Sequence, residues 1–224
     1  MIIIILGVPG SGKGTQSRRI AKKLGFKQFS TGEILRNEAK AHTALGEKIK
    51  DIIDNGKLVS DKIMIQIAEK YLFNAEKVPN ENGIVFDGFP RTLKQAEFLD
   101  SLLVTIKKKI NHVFELIVDD DAIIERISGR YSCGNCGAEY HDIFYKPQVP
   151  GICDACAGNH FVRREDDNEH TVRGRLNEYY KYTSPITAYY SERGTLHRIN
   201  GMQSVQHITN SITDILDKNG KELS

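Results

Sequence analysis

Strands alternating with helices along the 224 residues predict an α/β fold, a five-stranded parallel sheet covered by helices on both faces, with two inserted subdomains. Three observations carry that expectation. Ile2 to Leu6 is an unbroken apolar run, β-branched in four of its five residues, and reads as a strand buried on both faces. A glycine-rich turn leads from it straight into a helical run. Short apolar stretches then recur between amphipathic ones up to the closing helix.

The turn is Gly7-Val-Pro-Gly-Ser-Gly-Lys-Gly-Thr15, the pattern G-x-x-x-x-G-K with Gly14 where Ser or Thr is usual and Thr15 following it. Glycines let successive N–H groups close on phosphate oxygens, Lys13 adds a point charge, and a helix from Gln16 onward turns its N-terminus to the anion. That is the loop of a P-loop NTPase, and it predicts binding of a nucleoside triphosphate.

The first helix has Ile20, Ala21 and Leu24 on its inner face and ends at Gly25. Phe26 to Phe29 is a second strand. Ser30-Thr-Gly-Glu33 has capping-box spacing and opens a helix. Leu45 to Asp54 is helical and stops at Asn55-Gly56, and Ser60-Asp61 caps a helix with Ile63, Ile67 and Leu72 on its apolar side. Gly83 to Asp87 is the third strand, Thr92 to Leu103 a helix, Asn111 to Val118 the fourth strand and Ala122 to Ser128 a helix. Residues 131–165 look loop-like. Glu169 to Tyr180 and Pro185 to Ser191 are two helices, Leu196 to Ile199 the fifth strand, and Val205 to Leu216 the closing helix.

Net charge of +2, with 40% hydrophobic and 27% charged residues, describes an ordinary globular protein with no global attraction to nucleic acid or membrane. No apolar run approaches the roughly 20 residues of a membrane span, and the N-terminal stretch lacks the basic start of a signal peptide. A cytoplasmic protein is expected, and nothing suggests an obligate partner, so a monomer is too.

Asp87 closes an apolar strand, where a P-loop enzyme keeps an acid that holds Mg²⁺ through water. Arginines crowd element ends and excursions (Arg36, Arg91, Arg126, Arg130, Arg164, Arg173, Arg175), and guanidinium forks suit the spread charge of a transferring phosphoryl group. Arg91 and Arg130 stand out because each directly follows a turn at an element end. Cys133-x2-Cys136-x16-Cys153-x2-Cys156 supplies four thiolates for a structural Zn²⁺ with no open position. A zinc segment can instead bind nucleic acid, but residues 131–170 carry three Lys/Arg against seven Asp/Glu, which repels a phosphate backbone. A guanine-reading GTPase lacks its N/T-K-x-D run here. A nucleotide-switched zinc module remains the non-enzyme alternative.

These residues, taken together, resemble adenylate kinases, in particular the long bacterial type with a zinc-bearing lid. The resemblance runs nearly end to end: the phosphate loop, Ser30 to Arg36, Gly56 to Val59, Phe86-Asp-Gly-Phe-Pro-Arg91 with Gln95, Glu125 to Arg130, the four cysteines, and Arg164 to Arg175. It implies transfer of the ATP γ-phosphoryl group to AMP, giving two ADP with Mg²⁺, in a core of residues 1–29, 60–129 and 168–224. Residues 30–59 would be the monophosphate-binding insertion and 130–167 the lid. By that resemblance Gly10, Ser11, Gly12, Lys13, Gly14, Thr15, Arg126, Arg130, Glu139 and Tyr140 hold ATP. Thr31, Arg36, Lys57, Leu58, Val59, Gly88, Phe89, Pro90, Arg91 and Gln95 hold AMP, and Arg164 and Arg175 reach the phosphates when the lid closes. Lys13, Arg91, Arg126, Arg130, Arg164 and Arg175 would form the catalytic set. A UMP/CMP-type kinase is the neighbouring alternative. Thr31 and Gln95 favour adenine, because an amide can pair with its donor and acceptor edge together. Three positions depart from the family pattern: Glu33 stands where Asp is common, Tyr131 where a second arginine is frequent, and Met202-Gln203 where a lysine often meets the base.

Overall fold

The strand β1 (Ile2–Gly7) lies at the centre of a five-stranded parallel sheet, in the order β2 (Lys27–Ser30), β3 (Ile84–Asp87), β1, β4 (His112–Ile117), β8 (Leu196–Asn200), and is buried along its whole length. The computed structural model describes residues 1–41, 43–75 and 83–220. Alternation along β1 divides the core in two. Ile2, Ile4 and Leu6 pack on one side with Phe29, Phe86, Phe89, Leu99, Ile186 and Tyr190. Ile3 and Ile5 pack on the other with Ile20, Phe114, Ile208 and Ile212. Each such isoleucine, fully withdrawn from water, contributes about 2 kcal/mol.

The helix α1 (Lys13–Leu24) begins at the lysine of the loop, three residues before the expected start, because Gly12 adopts φ +93° and turns the chain into the helix at once. It ends at Gly25, whose φ of +66° closes the last turn. After β2 (Lys27–Ser30) come α2 (Thr31–Ala39) and α3 (Ala44–Asp54), which pack on each other and form the first excursion. The capping box expected at Ser30 does not form: its side chain caps no helical N–H, and its hydroxyl donates to Asp87 Oδ2 at 3.2 Å. A partly buried carboxylate is the stronger acceptor. On α4 (Asp61–Ala75) the deepest stripe is Met64, Ala68 and Leu72, with Ile63 and Ile67 only partly covered beside it.

The strand β3 (Ile84–Asp87) runs into α5 (Leu93–Thr105), whose cap Thr92 accepts from Gln95 N. The strand β4 (His112–Ile117) leads to α6 (Asp120–Ser128). The cysteine-bearing segment expected to be loop-like holds a small antiparallel sheet of β5 (Arg130–Cys133), β6 (Glu139–His141) and β7 (Phe161–Val162), order β6-β5-β7. Its strands are two to four residues long, too short for their alternation to read as a pattern.

The two helices expected after it are one continuous run. A π turn over Tyr179–Thr183, with Ser184 N bonded to Tyr179 O, joins α7 (Glu169–Glu178) to α8 (Ser184–Glu192). The strand β8 (Leu196–Asn200) and helix α9 (Val205–Gly220) complete the sheet and its second cover. Among the described residues no helix is long and apolar enough to cross a membrane.

Candidate active site

The carboxyl ends of parallel strands gather ligand sites because loops leave the sheet there. Here a cleft of about 1870 Å³ opens over those ends, lined by the phosphate loop, α2, the β3–α5 turn, the small sheet and the end of α7. In the loop, Lys13 Nζ donates to Gly7 O at 2.7 Å and Val8 O at 2.8 Å. Burial lowers its pKa to about 7, offset only in part by Asp87. Asp87 ends β3 facing it, and burial raises that carboxyl above its usual range despite Lys13. Its hydrogen bonds, from Ser30 Oγ and Gln28 Nε2, both fall on Oδ2.

At the β3 end of the cleft the groups are held by backbone bonds. Gly88 has φ +76°, and a Cβ there would stand 2.6 Å from Thr31 Oγ1, so the turn needs glycine. Thr31, itself buried, donates to Gly88 O at 2.9 Å. Arg91 Nε donates to the same carbonyl at 2.8 Å, and Arg91 N donates to Gln95 Oε1 at 2.8 Å. Burial, with repulsion from Arg175, lowers the pKa of Arg91. Gln95 is 1% exposed and its Nε2 donates to Asp61 Oδ1 at 2.8 Å, which leaves one amide N–H and one lone pair for a ligand. Arg36 lies in the same wall, its pKa lowered to about 10 by burial and by Arg164. Lys57 is exposed and Val59 buried, with Leu58 between.

At the end of the cleft bordered by the small sheet, three guanidiniums each have an acid. Arg130 grips Asp167 with two donors, Arg164 pairs with Glu139 Oε1 at 2.7 Å, and Arg175 pairs with Asp166. Glu139 also accepts from Thr15 Oγ1 at 2.9 Å, so the small sheet rests directly on the phosphate loop. Burial opposes its ionisation, yet Arg164, Arg130, Arg18 and the Thr15 hydroxyl hold its pKa below the usual range. Arg126 donates to Gly201 O at 2.9 Å and lies 6.0 Å from the Phe144 ring, near Met202 and Gln203 of the cleft wall. Arg173 is outside the cleft, pairing with Glu169 at the surface. Tyr140 has its ring in the core of the small sheet and donates to Cys153 Sγ at 3.3 Å, so only its backbone is free for a nucleotide.

The sulfurs of Cys133, Cys136, Cys153 and Cys156 all lie within 4.8 Å of one another, with pairs at 3.6 and 3.5 Å. Zn–S bonds of about 2.3 Å give a tetrahedron with edges of about 3.8 Å, so the cluster fits one zinc ion. Both knuckles turn alike: Gly137 N donates to Cys133 O and Ala157 N to Cys153 O, with Gly137 and Ala157 at φ +71° and +57°. Tyr131, Phe161 and Tyr140 pack around this cluster, with the exposed Tyr145 stacked on Tyr140 as a fourth ring.

Several functional partners gave no local signal: Asp61, 34 residues from Gln95; Asp166 and Asp167, which read as part of an acidic run; and Phe144, one of many exposed aromatics.

Comparison with known proteins agrees with this geometry. A family model described as adenylate kinase matches residues 5–195. An adenylate kinase of Novosphingobium aromaticivorans is 48% identical over 216 residues, 96% of this chain and 99% of that protein. Adenylate kinases of Allorhizobium ampelinum and Rhizobium rhizogenes are each 45% identical, over 96% and 97% of this chain and 99% and 100% of their own lengths.

Proposed function

The chain belongs to the adenylate kinase family, and from that premise we propose how its residues carry the reaction. As an adenylate kinase it is a nucleoside-monophosphate kinase, transferring the γ-phosphoryl group of ATP reversibly to AMP to give two ADP. The observation that carries the residue assignment is the cleft itself, where a phosphate loop and two differently held sets of arginines face one another.

Gly10 to Thr15 wrap the ATP phosphates with backbone N–H groups, and Lys13 leaves its two carbonyls to follow the transferring group. Arg126, beside Phe144 and Gly201, packs on the ATP base, and the Glu139-Tyr140 backbone borders it. Thr31, Arg36, the 57–59 backbone, Gly88 to Arg91 and Gln95 seat AMP, with Arg91 on the phosphate and Gln95 on the base edge. Arg130, Arg164 and Arg175 exchange their carboxylate partners for phosphoryl oxygens in the transition state. No protein nucleophile is needed: alignment of the two nucleotides and neutralisation of charge supply the rate.

When bound with ATP, Mg²⁺ would supply further neutralisation of phosphate charge. Asp87 suits holding it through water, since burial makes its isolated charge unfavourable and a nearby dication removes that penalty. Four thiolates suit a structural Zn²⁺ that knits the lid, residues 130–167, while residues 30–59 form the monophosphate insertion. Closure of both over the core residues excludes water that would hydrolyse ATP. The reading includes a cytoplasmic monomer without a nucleic-acid partner, and the net charge of +2 supports the last point.

A coupled assay of ADP formed from ATP with AMP, CMP, UMP and GMP in turn tests this reading. ADP formation with AMP far above the others is expected. Formation with none, or a preference for CMP, would overturn it.

A further inference from the structure

We propose that Thr183 is a positioning residue for Arg91, delivered by the π turn between α7 and α8. The inference rests on the reading of Arg91 as the clamp on the monophosphate. Arg91 stands in the turn between β3 and α5, where no sheet ladder fixes its peptide. Three bonds fix it instead. Its N–H donates to Gln95 Oε1, its Nε donates to Gly88 O, and its carbonyl accepts from Thr183 Oγ1 at 2.9 Å. The third bond comes from an element 92 residues away in sequence, and Thr183 is 6% exposed, so water does not substitute for it. Among the described residues Arg91 forms no ion pair, which leaves its fork free and makes its placement depend on these neutral bonds.

The π turn explains how one helix serves two groups. Arg175 on α7 and Thr183 both line the cleft. In an uninterrupted α-helix eight residues advance to about 80° beyond two full turns, which would swing Thr183 off the face that carries Arg175. Absorbing one residue in the wide turn brings the pair back to within about 20° of a common face. The inserted stretch, Tyr180 to Tyr182, is exposed, so the extra residue bulges to solvent while Tyr179 and Thr183 stay inside. Sequence reading puts a helix boundary here because Pro185 follows, and it gives no hint of the bulge.

The test compares Thr183→Val, which keeps the shape and removes the donor, with Thr183→Ser, which keeps the donor. Kinetics are measured against AMP and ATP separately, with Arg91→Ala alongside and melting curves for all. Thr183→Val is expected to lower kcat/KM for AMP about tenfold and to leave KM for ATP within about twofold, since sub-ångström misplacement of a positioning group has effects of this size. Thr183→Ser is expected to restore the AMP value to within about twofold, with all midpoints within about 4 °C of the parent. In the Arg91→Ala background, Thr183→Val should cost little more. Equal loss for valine and serine, equal loss on both substrates, or unchanged AMP kinetics in the valine variant would overturn the proposal while leaving the role of Arg91 standing. Unchanged AMP kinetics in Arg91→Ala would overturn both.

Discussion

Two ends of one cleft are held by different forces. At the β3 end, Arg91, Gln95 and Thr31 are fixed by hydrogen bonds to backbone or to a single carboxylate, from residues mostly within one turn and one helix. At the lid end, Arg130, Arg164 and Arg175 are each neutralised by an acid, and one of those acids, Glu139, is also bonded to the phosphate loop. The first arrangement keeps in place, before any ligand arrives, a guanidinium that forms no ion pair among the described residues. The second keeps charges quiet until a phosphate replaces a carboxylate. On the proposed reading the seat is rigid and the lid exchangeable, because neutral bonds to backbone have no anionic competitor and ion pairs do.

The largest effects should come from removing the charges themselves. Arg91→Ala and Lys13→Ala are each expected to lower turnover by a hundredfold or more, on the order of 3 kcal/mol, with melting unchanged. They should differ by substrate: Arg91→Ala acts on AMP steps, Lys13→Ala on ATP steps. Equal effects on both nucleotides would erase the distinction between the ends.

Cysteine loss sharpens the contrast from the lid side. Among the described residues the small sheet has four rings for a core, one of them the exposed Tyr145, too few to hold it without a metal cross-link. Cys153→Ser should lower metal content, lower the midpoint by on the order of 5 °C and raise KM for ATP, while transfer at low temperature persists. A variant that kept its melting point and lost all activity would place the metal in the chemistry. At the other end, Gln95→Ala should weaken AMP by roughly 1–3 kcal/mol and narrow the preference for AMP over CMP, measured by calorimetry. An unchanged preference would mean another group reads the base.

Protonation gives a smaller signal. Without nucleotide, burial holds Lys13 at about 7. Phosphate oxygens beside Nζ raise that value, so the bound state carries more protons above pH 7 and ATP affinity falls as pH rises from there. Calorimetry in buffers of different ionisation enthalpy should show uptake of up to about one proton at pH 8, and none in Lys13→Ala. Proton release would contradict the burial of Lys13.

The same contrast explains what was legible in the sequence. The sheet, its strand order apart, follows from apolar runs and their glycine and acid ends, and the β3 end of the cleft is nearly contiguous from Phe86 to Gln95. Local chemistry signals itself locally. Thr15 meeting Glu139 across 124 residues, or Asp61 holding Gln95, depends on tertiary packing and leaves no periodic trace. The Ser30 capping box misled for the same reason: its spacing is right, but a partly buried acid from another strand claims the hydroxyl. The π turn was hidden because one extra residue hardly disturbs helical periodicity.

The claim that the lid end is held by an exchangeable carboxylate is tested most directly by the distance between lid and core without nucleotide. Fluorophores on the exposed Val149 and Lys22 would report it by energy transfer, in the parent and in Asp166→Asn. The parent should rest closed at low salt and open as salt screens the Arg175–Asp166 pair, which joins core to lid. Asp166→Asn should rest open throughout and bind ATP with a KM about threefold lower, since no internal anion has to leave Arg175. Identical distances in both proteins at every salt concentration, with an unchanged KM for ATP, would contradict the account.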